Sequence, residues 1–254
     1  MIPQKINTRR PLSQLGFTLM EVLIALAVGG VILAAVMTTF RVQHRSYLAQ
    51  DEVVVMQQNA RLAMDMLARD IRMAGYNPTG ADGLFTFVDN VQFSNEGGTT
   101  LTTVNTDATA IAFRSDLNGN GAVDLTVTDV DNDGIIDLPD MEQIAYRLVP
   151  ADRALRRYST VTGFITWQTI ADQIEEIEFQ YLLANGNTVL APTAAELPLI
   201  RAVRISLLAR AAVGDQQYTD AVTYTRASGA TWGPYNDNIR RRLLIQTVIC
   251  RNMG

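Results

Sequence analysis

Residues 16–37 read GFTLMEVLIALAVGGVILAAVM. From Val22 to Met37 the run holds no charge and no proline, and Leu, Val, Ile and Ala fill most positions. Counted from Phe17, about twenty-one residues reach the length of a helix that crosses a bilayer. One acid, Glu21, stands at the front edge. A carboxylate carried unpaired into hydrocarbon is strongly unfavourable, so this one calls for a partner. The preceding residues, Met1 to Gly16, are polar, carry Lys5, Arg9 and Arg10, and contain no acid. A basic flank before an apolar helix also describes a plain signal anchor with its positive end inside.

Beyond Met37 the sequence turns polar but keeps a helical signature. There is no proline before Pro78 and no further glycine until Gly75. Val53, Met56, Ala60, Ala63, Leu67, Ile71 and Ala74 recur at steps of three and four, which places them on one helix face. Asp65 and Arg69 fall off that stripe and can pair on the solvated side. Asp70 and Arg72 read as surface charges as well. Gly75, followed by Tyr76, Asn77 and Pro78, is a helix stop. The pattern predicts one helix from Phe17 to Ala74. Gly29 and Gly30 interrupt its apolar part, where glycine costs about 1 kcal/mol against alanine. They mark either close packing against another membrane helix or a local weak point.

Composition removes several functional classes. The chain has 254 residues, 48% hydrophobic and 19% charged, as an ordinary folded protein does. Its formal charge is −5, and −8 without the basic leader, which argues against nucleic acid as a main partner. Cys250 is the only cysteine and His44 the only histidine. An intrachain disulfide is therefore impossible, and zinc sites, Ser-His-Asp triads and Cys-His dyads lack their parts.

From Gly80 the texture becomes strand and loop. Short apolar alternations occur at Leu84–Val88, Val91–Phe93 and Ala110–Arg114, and Asn95–Gly98 reads as a turn. Further segments follow at Ile144–Val149 and in ALRRYST, GFITWQTI, IEEIEFQYLL, LIRAVRISLLARAA and QYTDAVTYT. Asn185-Gly186 predicts a hairpin turn after the strand Ile177–Leu183. The ending IRRRLLIQTVICRNMG fits a basic helix or a strand. The expectation is one α+β domain, an antiparallel sheet on the C-terminal half of the long helix.

One dense acidic stretch, at about 116–142, holds two near-repeats. The second, Asp129, Asp131, Asp133, Gly134, Ile135, Asp137 and Asp140, sets side-chain oxygens at alternate positions around a glycine. Calcium takes about six to eight oxygens, and such a loop wraps them around one point with the Ile135 carbonyl as a further ligand. Asp140 stands where an EF-hand has its bidentate glutamate, and no flanking helix pair is evident, so a structural Ca2+ rather than a sensor is expected. The first repeat, Asp116, Asn118, Asn120, Gly121 and Asp124, is weaker, because Val127 has no oxygen for the last position. It could complete a shared site. Asp, Asn and Gly in this density also simply make turns.

The string Gly16, Phe17, Thr18, Leu19, Met20 and Glu21, between a basic leader and an apolar helix, resembles the processing signal of type IV prepilins. An ordinary secretory signal is cut after its apolar region. The resemblance implies cutting before it, between Gly16 and Phe17, by the prepilin peptidase, followed by N-methylation of Phe17. It also implies that Glu21 neutralises the new amine of an adjacent subunit during assembly. That role is physically sensible, since ammonium and carboxylate in hydrocarbon are each less unfavourable when paired.

The implied layout is a leader at 1–16, a transmembrane and assembly half-helix at 17–40, an amphipathic half at 41–75 and a β-rich head at 76–254. The implied fold is type IV pilin-like. Softer patterns also resemble minor pilins of the W type: Glu142, Ile144, Tyr146, Arg147, Leu148, Leu155 and Arg157, then 174–181, 202–210 and 241–252. The J-type pseudopilin of type II secretion shares this architecture.

The function implied is that of a non-enzymatic minor pilin helping to initiate or cap type IV pili. Its implied partners are other pilins and the prepilin peptidase. Its location would be the inner membrane with a periplasmic head, then the pilus at the cell surface. The alternatives are a J-type pseudopilin or a membrane-tethered calcium-binding adhesion module.

Overall fold

The computed structural model describes residues 17–80, 85–94, 101–116, 119, 121, 142–161 and 164–253, with 92–94, 101, 159–161 and 164–166 described by backbone alone. Two units make up the chain, Met1–Ala49 and Gln50–Gly254. Helix α1 (Leu19–Met73) contributes residues to both.

In the second unit, α1 buries Met56, Ala60, Ala63, Met64, Leu67, Ala68 and Ile71, and Val53 is partly buried beside them. This is the stripe expected from the sequence, widened by Met64 and Ala68, which lie on the same face one turn after Ala60 and Met64 respectively. Asp65 and Arg69 are exposed, as expected, but form no ion pair with each other. Gly75 ends the helix with φ +76, and its N–H donates to the Arg114 carbonyl at 3.0 Å. A Cβ there would sit 2.5 Å from Met253 Sδ, so glycine is required both for its left-handed backbone and for space.

Among the described residues the head has two four-stranded antiparallel sheets rather than the single sheet expected. The first is a meander, β3 (Ala110–Arg114), β4 (Gln143–Val149), β5 (Ala154–Val161) and β6 (Phe164–Ala171). Gln173, at φ +59, then separates β6 from β7. The second sheet has the order β12-β9-β7-β8, from β7 (Ile174–Leu183), β8 (Thr188–Val189), β9 (Ile200–Arg210) and β12 (Arg241–Ile249). Among the described residues the head also has two short ribbons, β1 (Val91–Ser94) with β2 (Leu101–Val104), and β10 (Tyr224–Thr225) with β11 (Thr231–Trp232).

Strand alternation sends one face of each sheet into a common core with α1. The first sheet supplies Ile111, Phe113, Ile144, Tyr146 and Leu155; the second supplies Ile177, Phe179, Tyr181, Val203, Ile205, Leu207 and Val248. Two sheets share this core because both present an apolar face to the same helix stripe.

Several local expectations hold and others shift. Asn185-Gly186 does turn β7 into β8, with Gly186 at φ +85 and Tyr181 opposite Val189. The chain's ending is a strand. Within 84–88, Phe87 makes only an isolated bridge to Phe113, and within 217–225 only Tyr224–Thr225 is strand. The first sheet is buried on its second face too. Ala112, Ala145, Tyr158 and Trp167 form a cross-strand row there, covered by Val88 and Val104.

Candidate processing and assembly site

The cleavage and docking residues stand at the start of α1. Gly16 lies outside the described residues, and Phe17 is exposed. Thr18 and Glu21 bond reciprocally. The N–H and hydroxyl of Thr18 both donate to Glu21 Oε2 at 3.0 Å, and Glu21 N–H donates to Thr18 Oγ1 at 3.2 Å. This is a capping box, in which a Thr-x-x-Glu pair satisfies helix amides that have no intrahelical acceptor. The four-residue spacing was present in the sequence, and it could have located the helix start without any resemblance. Glu21 Oε1 takes no bond from the described residues.

Behind this cap, Val22 to Met37 present one exposed apolar surface. All residues from Phe17 to Leu48 are exposed except Gly29, and the helix is long and apolar enough to cross a membrane. Nothing lies within 4 Å of a Cβ built on Gly29 or Gly30. Thr38 and Thr39 donate their hydroxyls to the carbonyls of Ala34 and Ala35, at 2.5 and 3.1 Å. Back-bonding of this kind lets a hydroxyl sit on an apolar helix without an unmet donor.

The acidic stretch is reached only at its edge. Asp129, Asp131, Asp133, Ile135, Asp137 and Asp140 lie outside the described residues, as do Asn118, Asn120 and Asp124. Asp116 is described and fully buried. Its N–H donates to the Tyr76 carbonyl at 2.8 Å, which ties the start of the loop to the end of α1. Its carboxylate accepts from Gly119 N–H at 2.6 Å and Gly121 N–H at 3.0 Å. Among the described residues, no three His, Cys, Asp or Glu side chains are grouped to hold a metal.

Two polar networks lie where the sequence suggested none. Asp70 is not the free surface charge expected. It accepts from the Tyr146 hydroxyl at 2.5 Å and from Arg157 Nε at 2.6 Å, with only 17% of its side chain exposed. The reason is that Tyr146 and Arg157 are cross-strand partners on the sheet face that meets the helix. Arg72, by contrast, is exposed as expected.

The second network centres on Arg241, whose guanidinium bonds Asp220 at 2.9 Å and Asp237 at 2.7 Å and approaches Glu175 at 3.3 Å. Its Cζ lies 3.8 Å from the ring centre of Tyr235. Asp220 also accepts from the hydroxyls of Tyr224 and Tyr218, at 3.0 and 3.2 Å. Nearby, Arg210 pairs with Glu175, and Arg226 with the buried Glu178. These bonds fasten residues 211–240 across the second sheet. Hydrogen bonding from Arg241 brings the Asp237 carboxyl down to about 2, and burial pushes the Tyr235 phenol up to about 12. Burial likewise takes the Cys250 thiol to about 12, the environment of an inert cysteine.

An exposed apolar helix with a capped acid at its start, together with an antiparallel β-rich head, defines a type IV pilin-like prepilin. Residues 12–37 match the prokaryotic N-terminal methylation motif. Residues 50–227 match the family described as prepilin peptidase-dependent protein B, and the chain belongs to that family. Pilin-like families of this sort are structural rather than catalytic. A type IV-like pilin from Thermus thermophilus aligns over 78% of this chain and 98% of its own, at 15% identity and a TM-score of 0.43, a likeness too distant to carry an argument. No curated protein matches the chain.

Proposed function

We propose that the chain is a minor pilin of the W type, a non-enzymatic subunit that helps to initiate or cap type IV pili. The observation that carries this reading is the Thr18–Glu21 pair at the head of an exposed apolar helix. The cap occupies Glu21 Oε2 and leaves Oε1 able to receive the N-methylated amine of Phe17 from a neighbouring subunit. In hydrocarbon that pairing removes two unfavourable lone charges.

In this reading the prepilin peptidase cuts between Gly16 and Phe17. The head then faces the periplasm until the subunit enters a pilus at the cell surface, among other pilins. N-terminal sequencing and the mass of the mature protein test the cleavage. Glu21→Ala should leave cleavage intact and block assembly; pili assembled normally by that variant refute the role. A pseudopilin of a secretion system would instead leave piliation unchanged when the gene is deleted.

The acidic loop is proposed to bind one structural Ca2+ through Asp129, Asp131, Asp133, the Ile135 carbonyl, Asp137 and Asp140. What supports this is the donor set itself, five carboxylates whose mutual repulsion a cation relieves. Calorimetry of the full chain with calcium and then a chelator tests it. Absence of both heat and any change in melting overturns it.

A further inference from the structure

β12 (Arg241–Ile249) forms the edge of the second sheet for its whole nine-residue length. The opposite edge, β8, is only two residues long. Long edges invite pairing by other strands, and proteins usually blunt them with lysine, proline, a bulge or a cover. β12 contains neither lysine nor proline, and its register with β9 runs without a bulge.

The direction of its free groups can be read from the bonds at each end. Ala211 N–H donates to the Arg240 carbonyl, and Cys250 N–H donates to the Arg201 carbonyl. In an antiparallel ladder alternate residues turn both backbone groups the same way. Arg242, Leu244, Gln246 and Val248 therefore turn toward β9, and Leu243, Ile245, Thr247 and Ile249 turn toward the open side. Among the described residues, no turn or loop bond reaches the backbone of these four. Their side chains share the face opposite the core, where Ile245 is 49% and Ile249 is 66% exposed.

We propose that β12 pairs antiparallel with β12 of a second copy of this chain, about a two-fold axis through Ile245. Ile245 is the midpoint of the strand, so this register sets every outward-turned residue against an outward-turned residue. Leu243 falls opposite Thr247 of the second copy, and Ile245 opposite its own equivalent. Charge selects the antiparallel sense. Arg241 is neutralised within its own head, and Arg242 is the exposed cation of the strand. The two-fold sends the two Arg242 residues to opposite ends of the pair, each across from Val248, whereas a parallel pair would stack them. A strand edge offers less than the roughly 800 Å² per partner of a standard interface. The pair is accordingly reversible and forms where subunits are concentrated in a membrane.

Disulfide trapping of the full chain in its membrane tests this. Directly opposed hydrogen-bonded residues stand about 5.5 Å apart at Cα, within the range of about 4.4–6.8 Å that a disulfide spans. Cys250 is buried, so the parent chain serves as the background. Under mild oxidation Ile245→Cys should give a reducible species of twice the subunit mass. The yield should be at least tenfold above that of Leu190→Cys, an exposed position beyond β8. Adding Thr247→Pro, which removes one outward N–H, should abolish the product while protease resistance of the head persists. Equal yields at Ile245→Cys and Leu190→Cys overturn the proposal, as does trapping of a different protein alone. Because the test reads only self-pairing of the head, it can fail while the processing and assembly roles of Phe17 and Glu21 stand.

Discussion

The guanidinium of Arg241 and the carboxylate of Asp220 meet at 2.9 Å with side chains only 1% and 0% exposed. Asp220→Ala leaves Arg241 with Asp237 and Glu175 as its remaining partners. A full break of such a network costs about 3–5 kcal/mol, so this partial break costs about 2 kcal/mol. Asp220→Ala should therefore lower the unfolding free energy of the detergent-solubilised chain by about that amount, since the hydroxyls of Tyr218 and Tyr224 also lose their acceptor. Replacing both partners, as Asp220→Leu with Arg241→Met, should restore part of the loss, less than for an isolated pair because Asp237 then loses its guanidinium. Denaturant titration measures both. A loss below about 1 kcal/mol for the single variant would show that the pair is not dry.

The same cluster predicts a response to acid. Asp237 is held at about 2, below its ordinary value of 3.8, by its hydrogen bonds to Arg241. A carboxylate depressed by folding stabilises the fold above its unfolded value, and the contribution fades as pH falls through the folded value. Melting temperature should thus be level above about pH 4 and decline toward pH 2. Asp237→Asn should melt lower than the parent at pH 5 and converge on it near pH 2. Parallel curves for the two proteins across that window would contradict the assignment.

Asp70 joins the helix to the first sheet through both Tyr146 and Arg157. Tyr146→Phe removes one hydrogen bond and leaves the ion pair, for a loss of about 1 kcal/mol. Asp70→Ala removes both bonds and leaves a largely buried guanidinium without its acid, so it should destabilise more. Burial, with the Asp70 charge adding to it, also holds the Tyr146 phenol well above the usual tyrosine range. An ultraviolet titration of the folded chain should show one fewer late-ionising tyrosine in Tyr146→Phe. Equal or reversed losses for the two variants would rule out Asp70 as the hub.

Gly75 and Gly229 both have left-handed backbones, at φ +76 and +89, but only Gly75 has atoms crowding the place of a Cβ. Alanine at Gly229 should cost only the backbone term, about 1–2 kcal/mol. At Gly75 the Met253 side chain must also move, so Gly75→Ala should be the more destabilising of the two. Thermal unfolding of the pair compares them directly. Truncating Met253 to alanine in the Gly75→Ala background should recover part of the difference.

Much of the architecture follows from local pattern. The helix stripe from Val53 to Ala74, the stop at Gly75 and the turn at Asn185-Gly186 depend on periodicity and backbone preference, which neighbouring residues encode. The Thr18–Glu21 cap is equally local and could have been read from its spacing. Asp70 could not. Its helix face is polar by pattern, and its partners lie more than seventy residues away on strands whose register no local rule sets. The arginine cluster is hidden for the same reason. Arg241 sits in a run of three arginines that reads as a solvated basic ending, yet Asp220, Asp237 and Glu175 surround it in the fold.

By itself the sequence determined the apolar helix with its basic leader and front-edge acid, the amphipathic continuation, and a β-rich head with no histidine or cysteine machinery. These are properties of composition and of short-range spacing, and they survive in any tertiary arrangement. Only the tertiary structure decided that the head holds two sheets around one core, that Arg241 is buried, and that β12 is left as an open edge. Those outcomes depend on strand order and register, which arise when distant segments compete for the same apolar helix face. The cap on Glu21 belongs to both accounts. Its spacing is written in four consecutive residues, while the carboxylate oxygen it leaves free is visible only in three dimensions.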